Sequence, residues 1–185
     1  MANLIGYTLS AQFNDTSMFD DDDPIPLCAR CGYRLEFGGT NPRYRSRKRK
    51  RDIGATYDGQ LIVSVAFREF CLSEGVAGAE FRSFETDKDH FHFVVFPQVQ
   101  FDSARAETYF ENLCEGCGKY ESVIGSRPCY LRQREPLGPG FFRTDLLFAS
   151  GNEKHPVTLV GVTTRLALER SGLRGLEFDV ATAME

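Results

Sequence analysis

Tryptophan is absent from this chain, and histidine and methionine occur only three times each. With three histidines no His-Glu-x-x-His pair is present, which removes the common helical zinc-hydrolase pattern. No glycine-rich phosphate loop follows a strand pattern, and no Gly-x-Ser-x-Gly elbow occurs, so nucleotide cradles and hydrolase nucleophiles lack their usual frame. No run approaches the roughly 20 apolar residues that a membrane-crossing helix needs. The first residues, Met1-Ala-Asn-Leu-Ile-Gly-Tyr7, lack the basic and apolar regions of a secretory signal. The expected location is the cytoplasm, where thiols stay reduced.

Against these absences stand 185 residues with 42% hydrophobic content and 16 phenylalanines, enough for one core or for two small packed halves. The formal net charge is −4, but it is unevenly spread. Seven cationic side chains fall within residues 43–51 (Arg43, Arg45, Arg47, Lys48, Arg49, Lys50 and Arg51, with Tyr44 among them), so the rest of the chain is distinctly acidic.

Six cysteines are present, and four of them form two matching words, Cys28-Ala-Arg-Cys31-Gly32 and Cys114-Glu-Gly-Cys117-Gly118. Each word offers two thiols on a tight turn, with a glycine free to take a left-handed conformation. Two such pairs complete a tetrahedral four-thiolate shell, which predicts one structural Zn2+ held by Cys28, Cys31, Cys114 and Cys117. Such a closed shell leaves no position for a substrate water. Competing readings are a pair of redox dithiols, three disulfides in an exported chain, and replacement of one ligand by Cys129. Cys71, beside Leu72 in a helical stretch, reads as a small buried apolar residue.

Residues 61–81 and 158–178 match at an offset of 97. Val63, Val65, Arg68, Gly75, Gly78, Glu80 and Phe81 meet Val160, Val162, Arg165, Gly172, Gly175, Glu177 and Phe178. The pattern predicts helices from about Ser64 to Glu74 and from about Thr163 to Ser171, with Gly75 and Gly172 as C-terminal caps. Val65, Phe70 and Leu72, and Leu166, Ala167 and Leu173, are the expected packing faces. Short strands are expected to start at Ala79 and Leu176, with further strands over Leu4–Ser10 and His90–Phe96. The Phe141–Phe148 stretch fits either a strand or a helical turn. The predicted fold class is α+β, with two similar small units, each a zinc knuckle with short strands and one helix, joined by the shared four-cysteine site. Residues 1–105 would hold the first unit, including the basic loop, and residues 106–185 the second, packed as one pseudo-duplicated domain.

His90 and His92 alternate on one strand face near Asp87 and Asp89, with no third ligand or nucleophile in view. The expectation is a solvated face opposite a buried Phe91, Phe93 and Val95 face, and His155 reads as surface. The basic loop, Arg43 to Arg51, makes a zinc-ribbon-like nucleic-acid binder the alternative function, with Tyr44 stacking on a base. The acidic remainder favours a basic protein partner instead, through Asp15, Asp20, Asp21, Asp22, Asp23, Glu85, Asp87 and Asp89.

The paired CxxCG words and the repeated Gly-Val/Leu-x-Gly-x-Glu-Phe ending resemble the double-CXXCG motif proteins of bacterial polymorphic-toxin loci. The resemblance touches Cys28–Gly32, Leu61–Phe84, Cys114–Gly118 and Phe141–Phe178. It implies a cytoplasmic immunity protein that binds and neutralises a cognate toxin, has no enzymatic activity of its own and does not engage membranes. The four cysteines carry over to that motif; no toxin-contact residue does. The Arg43–Arg51 insertion is atypical of the pattern.

Overall fold

Short alternating apolar stretches, punctuated by glycine, turn this chain mainly into strands. The computed structural model describes residues 2–19, 25–46 and 51–184. The elements are β1 (Ala2–Ser10), β2 (Ile53–Ala55), β3 (Leu61–Ser64), α1 (Val65–Ser73), β4 (Ala79–Ser83) and β5 (His90–Val95). There follow β6 (Gln98–Val99), β7 (Tyr109–Leu113), β8 (Tyr120–Ile124), β9 (Cys129–Tyr130), β10 (Phe141–Ser150), β11 (His155–Val160), α2 (Val162–Arg170) and β12 (Glu177–Met184). A 3-10 turn, Gly151–Glu153, joins β10 to β11.

The strands form two sheets. An eight-stranded sheet runs β7-β8-β10-β11-β1-β12-β9 with β6 beside β10, and a four-stranded sheet runs β2-β3-β5-β4. The predicted α+β pair of small knuckle units is therefore wrong: the fold is mainly β, with twelve strands and two nine-residue helices among the described residues. The sheets differ twofold in size, and β1 crosses the expected division at residue 105 by pairing with β11 and β12. The misreading arose because the sequence match covers only each helix and its flanking strands. The two- and three-residue strands and the bulged β10 carry no clear alternation.

Within that match the path does recur. β3-α1-β4 flanks the antiparallel β5, and β11-α2-β12 flanks the antiparallel β1. Ser64 caps α1 by accepting from the Phe67 N–H, and Gly75 and Gly172 end the two helices at φ of +63° and +74°. The buried faces differ from those expected. Phe67 and Cys71 pack inward from α1, and Thr164 and Leu168 from α2, each pair one helical turn apart, while Leu72 and Leu166 are exposed.

The main core lies between the sheets. Leu9, Val63, Phe67, Phe93, Phe141, Val160 and Leu168 share one buried cluster, with Phe93 edge-on to both Phe67 and Phe141. A second cluster, around Ile5, Phe101, Leu131, Phe148 and Leu159, packs on the larger sheet. The turn after α1 is stitched directly to β10, since the Phe141 N–H donates to Ala77 O at 2.9 Å. At this crossing Gly78 has φ of +97°, and a Cβ there would lie 2.1 Å from Phe141 O. The stretch left open between strand and helical turn, Phe141–Phe148, is a strand continuing to Ser150.

Candidate metal centre

Each CxxCG word forms the end of a β-hairpin. Around the first, Leu27 and Arg34 bridge antiparallel; around the second, Leu113 on β7 pairs with Tyr120 on β8. The backbone repeats closely. Gly32 N–H donates to Cys28 O at 2.8 Å and Cys28 N–H to Tyr33 O at 2.9 Å; Gly118 N–H donates to Cys114 O at 2.7 Å and Cys114 N–H to Lys119 O at 2.9 Å. Gly32 and Gly118 sit at φ of +73° and +69°, the left-handed turn that the sequence pattern requires. Neither word opens a helix, the setting that activates redox dithiols.

The two hairpin ends meet. The sulfurs of Cys28, Cys31, Cys114 and Cys117 all lie within 4.8 Å of one another. Cys28 Sγ is 3.9 Å from Cys114 Sγ, and Cys31 Sγ is 3.8 Å from Cys117 Sγ. These separations are nearly twice a disulfide bond of about 2.05 Å, and all six cysteines are free thiols. Four thiols gathered this way can hold a metal ion. Cys71 is buried on α1 and Cys129 on β9, both in apolar surroundings that push their thiols up to about 12; neither joins the cluster.

The electrostatics of the cluster are divided. N–H groups of Cys31 and Arg30 favour the Cys28 thiolate and bring it down to about 6. N–H groups of Cys117 and Gly116 lower Cys114 in the same way. The Tyr33 N–H also favours ionised Cys31, yet burial and the sulfurs of Cys114, Cys28 and Cys117 push that thiol up to about 12. Backbone dipoles thus invite negative charge that the sulfurs cannot share. A central cation removes the conflict by ionising all four.

Several side chains beyond the cysteines brace the junction. Arg30 and Glu115 form a 2.9 Å ion pair from one word to the other. Lys119 donates to Leu35 O and, at 3.3 Å, to Arg34 O, tying the second hairpin to the first. Asn152 accepts from the Arg34 N–H at 2.8 Å, and Lys154 donates to Glu121 O at 3.0 Å with its ammonium 4.5 Å from the Tyr33 ring centre. Nothing in the sequence marks Asn152 or Lys154. They reach the site because they follow the end of β10, where Ala149 and Ser150 pair with Val123 and Ser122 of β8.

The histidines depart from expectation. His90 and His92 are buried, not solvated, because residues 38–46 cover that face of β5. Gln60 Oε1 accepts from His92 Nε2 at 3.0 Å, and the Thr40 hydroxyl bonds Nδ1 at 2.8 Å. Gln60 is oriented by its amide donation to Asp58 O, which assigns His92 as the neutral Nε2–H tautomer. Burial, aided by nearby Arg82, pushes His92 down to about 3. Asp87 is likewise buried, held by His90 at 3.0 Å and by the Ser46 N–H, so it offers no surface to a partner.

Of the other acidic candidates, Glu85 and Asp89 are exposed, as is Asp15, which accepts from the Tyr57 hydroxyl at 3.2 Å. Asp20 to Asp23 lie outside the described residues. In the basic loop, Arg43 and Arg45 are exposed and Arg51 is half-buried, while Arg47, Lys48, Arg49 and Lys50 lie outside the described residues. Tyr44 is buried against Phe84, its hydroxyl bonded to Asn14 and Thr16 at 2.7 Å each, which leaves no free ring face for a base.

One surface feature escaped sequence reading. The β7–β8 hairpin exposes Tyr109 (62%), Leu113 (53%) and Ile124 (54%), together with Tyr120, and β7 is the edge of its sheet. The signal was the paired apolar spacing on either side of the second CxxCG word. No helix among the described residues is long and apolar enough to cross a membrane. No protein-family model matches the chain, and no curated protein matches it in sequence.

Proposed function

We propose that the protein is a zinc-stabilised binding module without enzymatic activity, and that its partner is another protein. Zinc is the metal that suits the site. Metal–sulfur bonds of about 2.3 Å in a tetrahedron give sulfur–sulfur edges of about 3.8 Å, against 3.8 Å for Cys31–Cys117 and 3.9 Å for Cys28–Cys114. With four thiolates the shell is closed, so its work is to fix two hairpins that are far apart in the chain.

The observation that carries the partner reading is the β7–β8 hairpin. It is tethered at its tip by the cysteine cluster, and it presents four large apolar side chains on a sheet edge. Exposed apolar clusters of this kind on a rigid support mark interaction surfaces. Exposed Glu107 flanks it, which favours a basic partner through complementary charge. In line with the resemblance to double-CXXCG proteins, that partner is a toxin domain whose active site the module covers, in the cytoplasm of the producing cell.

The test is co-expression with the toxin-like product of the adjacent gene. The two chains are expected to co-purify, and Tyr109→Asp with Leu113→Asp is expected to break the complex while leaving the unfolding curve of the free module unchanged. A stable complex that both substitutions leave intact contradicts the hairpin assignment. Salt-steep DNA or RNA binding lost on replacing Arg43 and Arg45 would instead favour the nucleic-acid alternative.

A further inference from the structure

Two lysines converge beside the cysteine cluster without an acid to pair with. Lys119 stands directly after the second CxxCG word, and Lys154 follows the 3-10 turn at the end of β10. Both are half-buried, and they line one crevice together with Arg34, Gly151 and Asn152. Their donors go to main-chain oxygens, Lys119 to Leu35 O and to Arg34 O at 3.3 Å, and Lys154 to Glu121 O at 3.0 Å. Neither forms an ion pair with a carboxylate among the described residues. The Glu121 carboxylate, whose charge reaches Lys154, accepts instead from Asn112 at 2.8 Å.

The two words are served alike. The position after each word is Tyr33 in the first and Lys119 in the second, and the carbonyl of each accepts from the N–H of the leading cysteine. Where the first word has a tyrosine, Lys154 comes from another segment and lies 4.5 Å from the ring centre. Such a placement is unfavourable by itself. Burial holds Lys154 below the ordinary lysine range and the charge of Lys119 adds to the penalty, while the charges of Cys31 and Cys117 oppose both. The arginines of the first hairpin are already neutralised, Arg30 by Glu115 at 2.9 Å and Arg34 by Asp58 at 3.2 Å.

We propose that Lys119 and Lys154 are the counter-ions of the metal–thiolate centre and set how tightly it holds its ion. Four thiolates around one divalent cation leave two negative charges in excess, and two ammoniums without acids answer them. Groups outside a metal's ligand shell that act on the ligands are worth about 10- to 100-fold in affinity. The inference rests on the zinc reading above and adds which side chains beyond the cysteines control the site. It makes no use of the hairpin surface or of the protein partner.

The test is the zinc affinity of the full chain, measured at fixed pH by competition with a chromophoric chelator. Lys119→Met and Lys154→Met keep the aliphatic stem and remove the charge. Each is expected to weaken zinc about ten-fold. Iron in the same shell separates charge from bracing. Ferric iron leaves one excess negative charge and ferrous iron two, so a neighbouring ammonium favours the reduced ion. Each Met variant is therefore expected to lower the reduction potential of the iron-loaded chain. Wild-type zinc affinity in both variants, or an iron potential that stays or rises, overturns the counter-ion role and leaves the metal site standing. A wild-type chain that binds no zinc overturns the metal reading and this inference with it.

Discussion

Protonation of His92 is the sharpest internal test of how this fold is packed. The imidazole is buried on β5, hydrogen-bonded to Gln60 and Thr40, and burial holds it down to about 3 from an ordinary value of 6.5. The depressed value belongs to the folded state, so the unfolded chain takes up the proton first. The stability that neutral His92 contributes is therefore complete above pH 6.5 and is lost progressively as pH falls from there towards 3. Each pH unit inside that window is worth about 1.4 kcal/mol, so acidifying from pH 7 to pH 5 costs about 2 kcal/mol. Urea unfolding at the two pH values measures it, with His92→Gln as the reference that keeps hydrogen bonding and removes titration. The wild-type chain is expected to lose about 2 kcal/mol more than His92→Gln over this interval. At a urea slope of about 2 kcal/mol per molar, that is a midpoint difference near 1 M. Proton competition at the cysteines affects both chains equally and cancels. Identical pH dependence of the two chains would refute the claim that residues 38–46 seal this face of β5.

Gly78→Ala is expected to destabilise by at least about 3 kcal/mol, because the new Cβ meets Phe141 O at 2.1 Å in a left-handed backbone; thermal unfolding checks it, and a change below about 1 kcal/mol contradicts the crossing described. Cys31→Ser and Cys117→Ser are expected to be non-additive. Either one breaks the same shell, so the double variant unfolds at the urea midpoint of the worse single one, and summed effects would place the two sulfurs in separate sites.

How far the sequence could be read follows from how local each signal is. The paired CxxCG words named all four cysteines of the cluster, because the turn glycines and thiol spacing are properties of five consecutive residues. Both helices lie within a residue or so of their expected bounds, since capping by Ser64, Gly75 and Gly172 is equally local. The sheets were lost. β1 joins the C-terminal sheet across more than 140 residues, and β2, β6 and β9 are too short for alternation to register. The β5 histidines were misassigned because alternation tells which residues share a face, not what covers it; here an irregular loop does. Charge patterns mark Tyr44 and Asp87 as surface groups, yet each is buried against another segment, Tyr44 bonding Asn14 and Asp87 accepting from the Ser46 N–H. The acidic and basic runs themselves, Asp20–Asp23 and Arg47–Lys50, carry composition without pattern.

The measurement closest to the central claim is metal content with thiol counting on the purified full chain. One zinc per chain is expected, with two thiols, Cys71 and Cys129, free of metal and four released to a thiol reagent only when a strong chelator strips the ion. Chelation is also expected to lower the urea midpoint, and zinc to restore it. A stable chain that carries no metal, or whose midpoint is indifferent to chelator, would contradict the account that these four cysteines hold a structural ion.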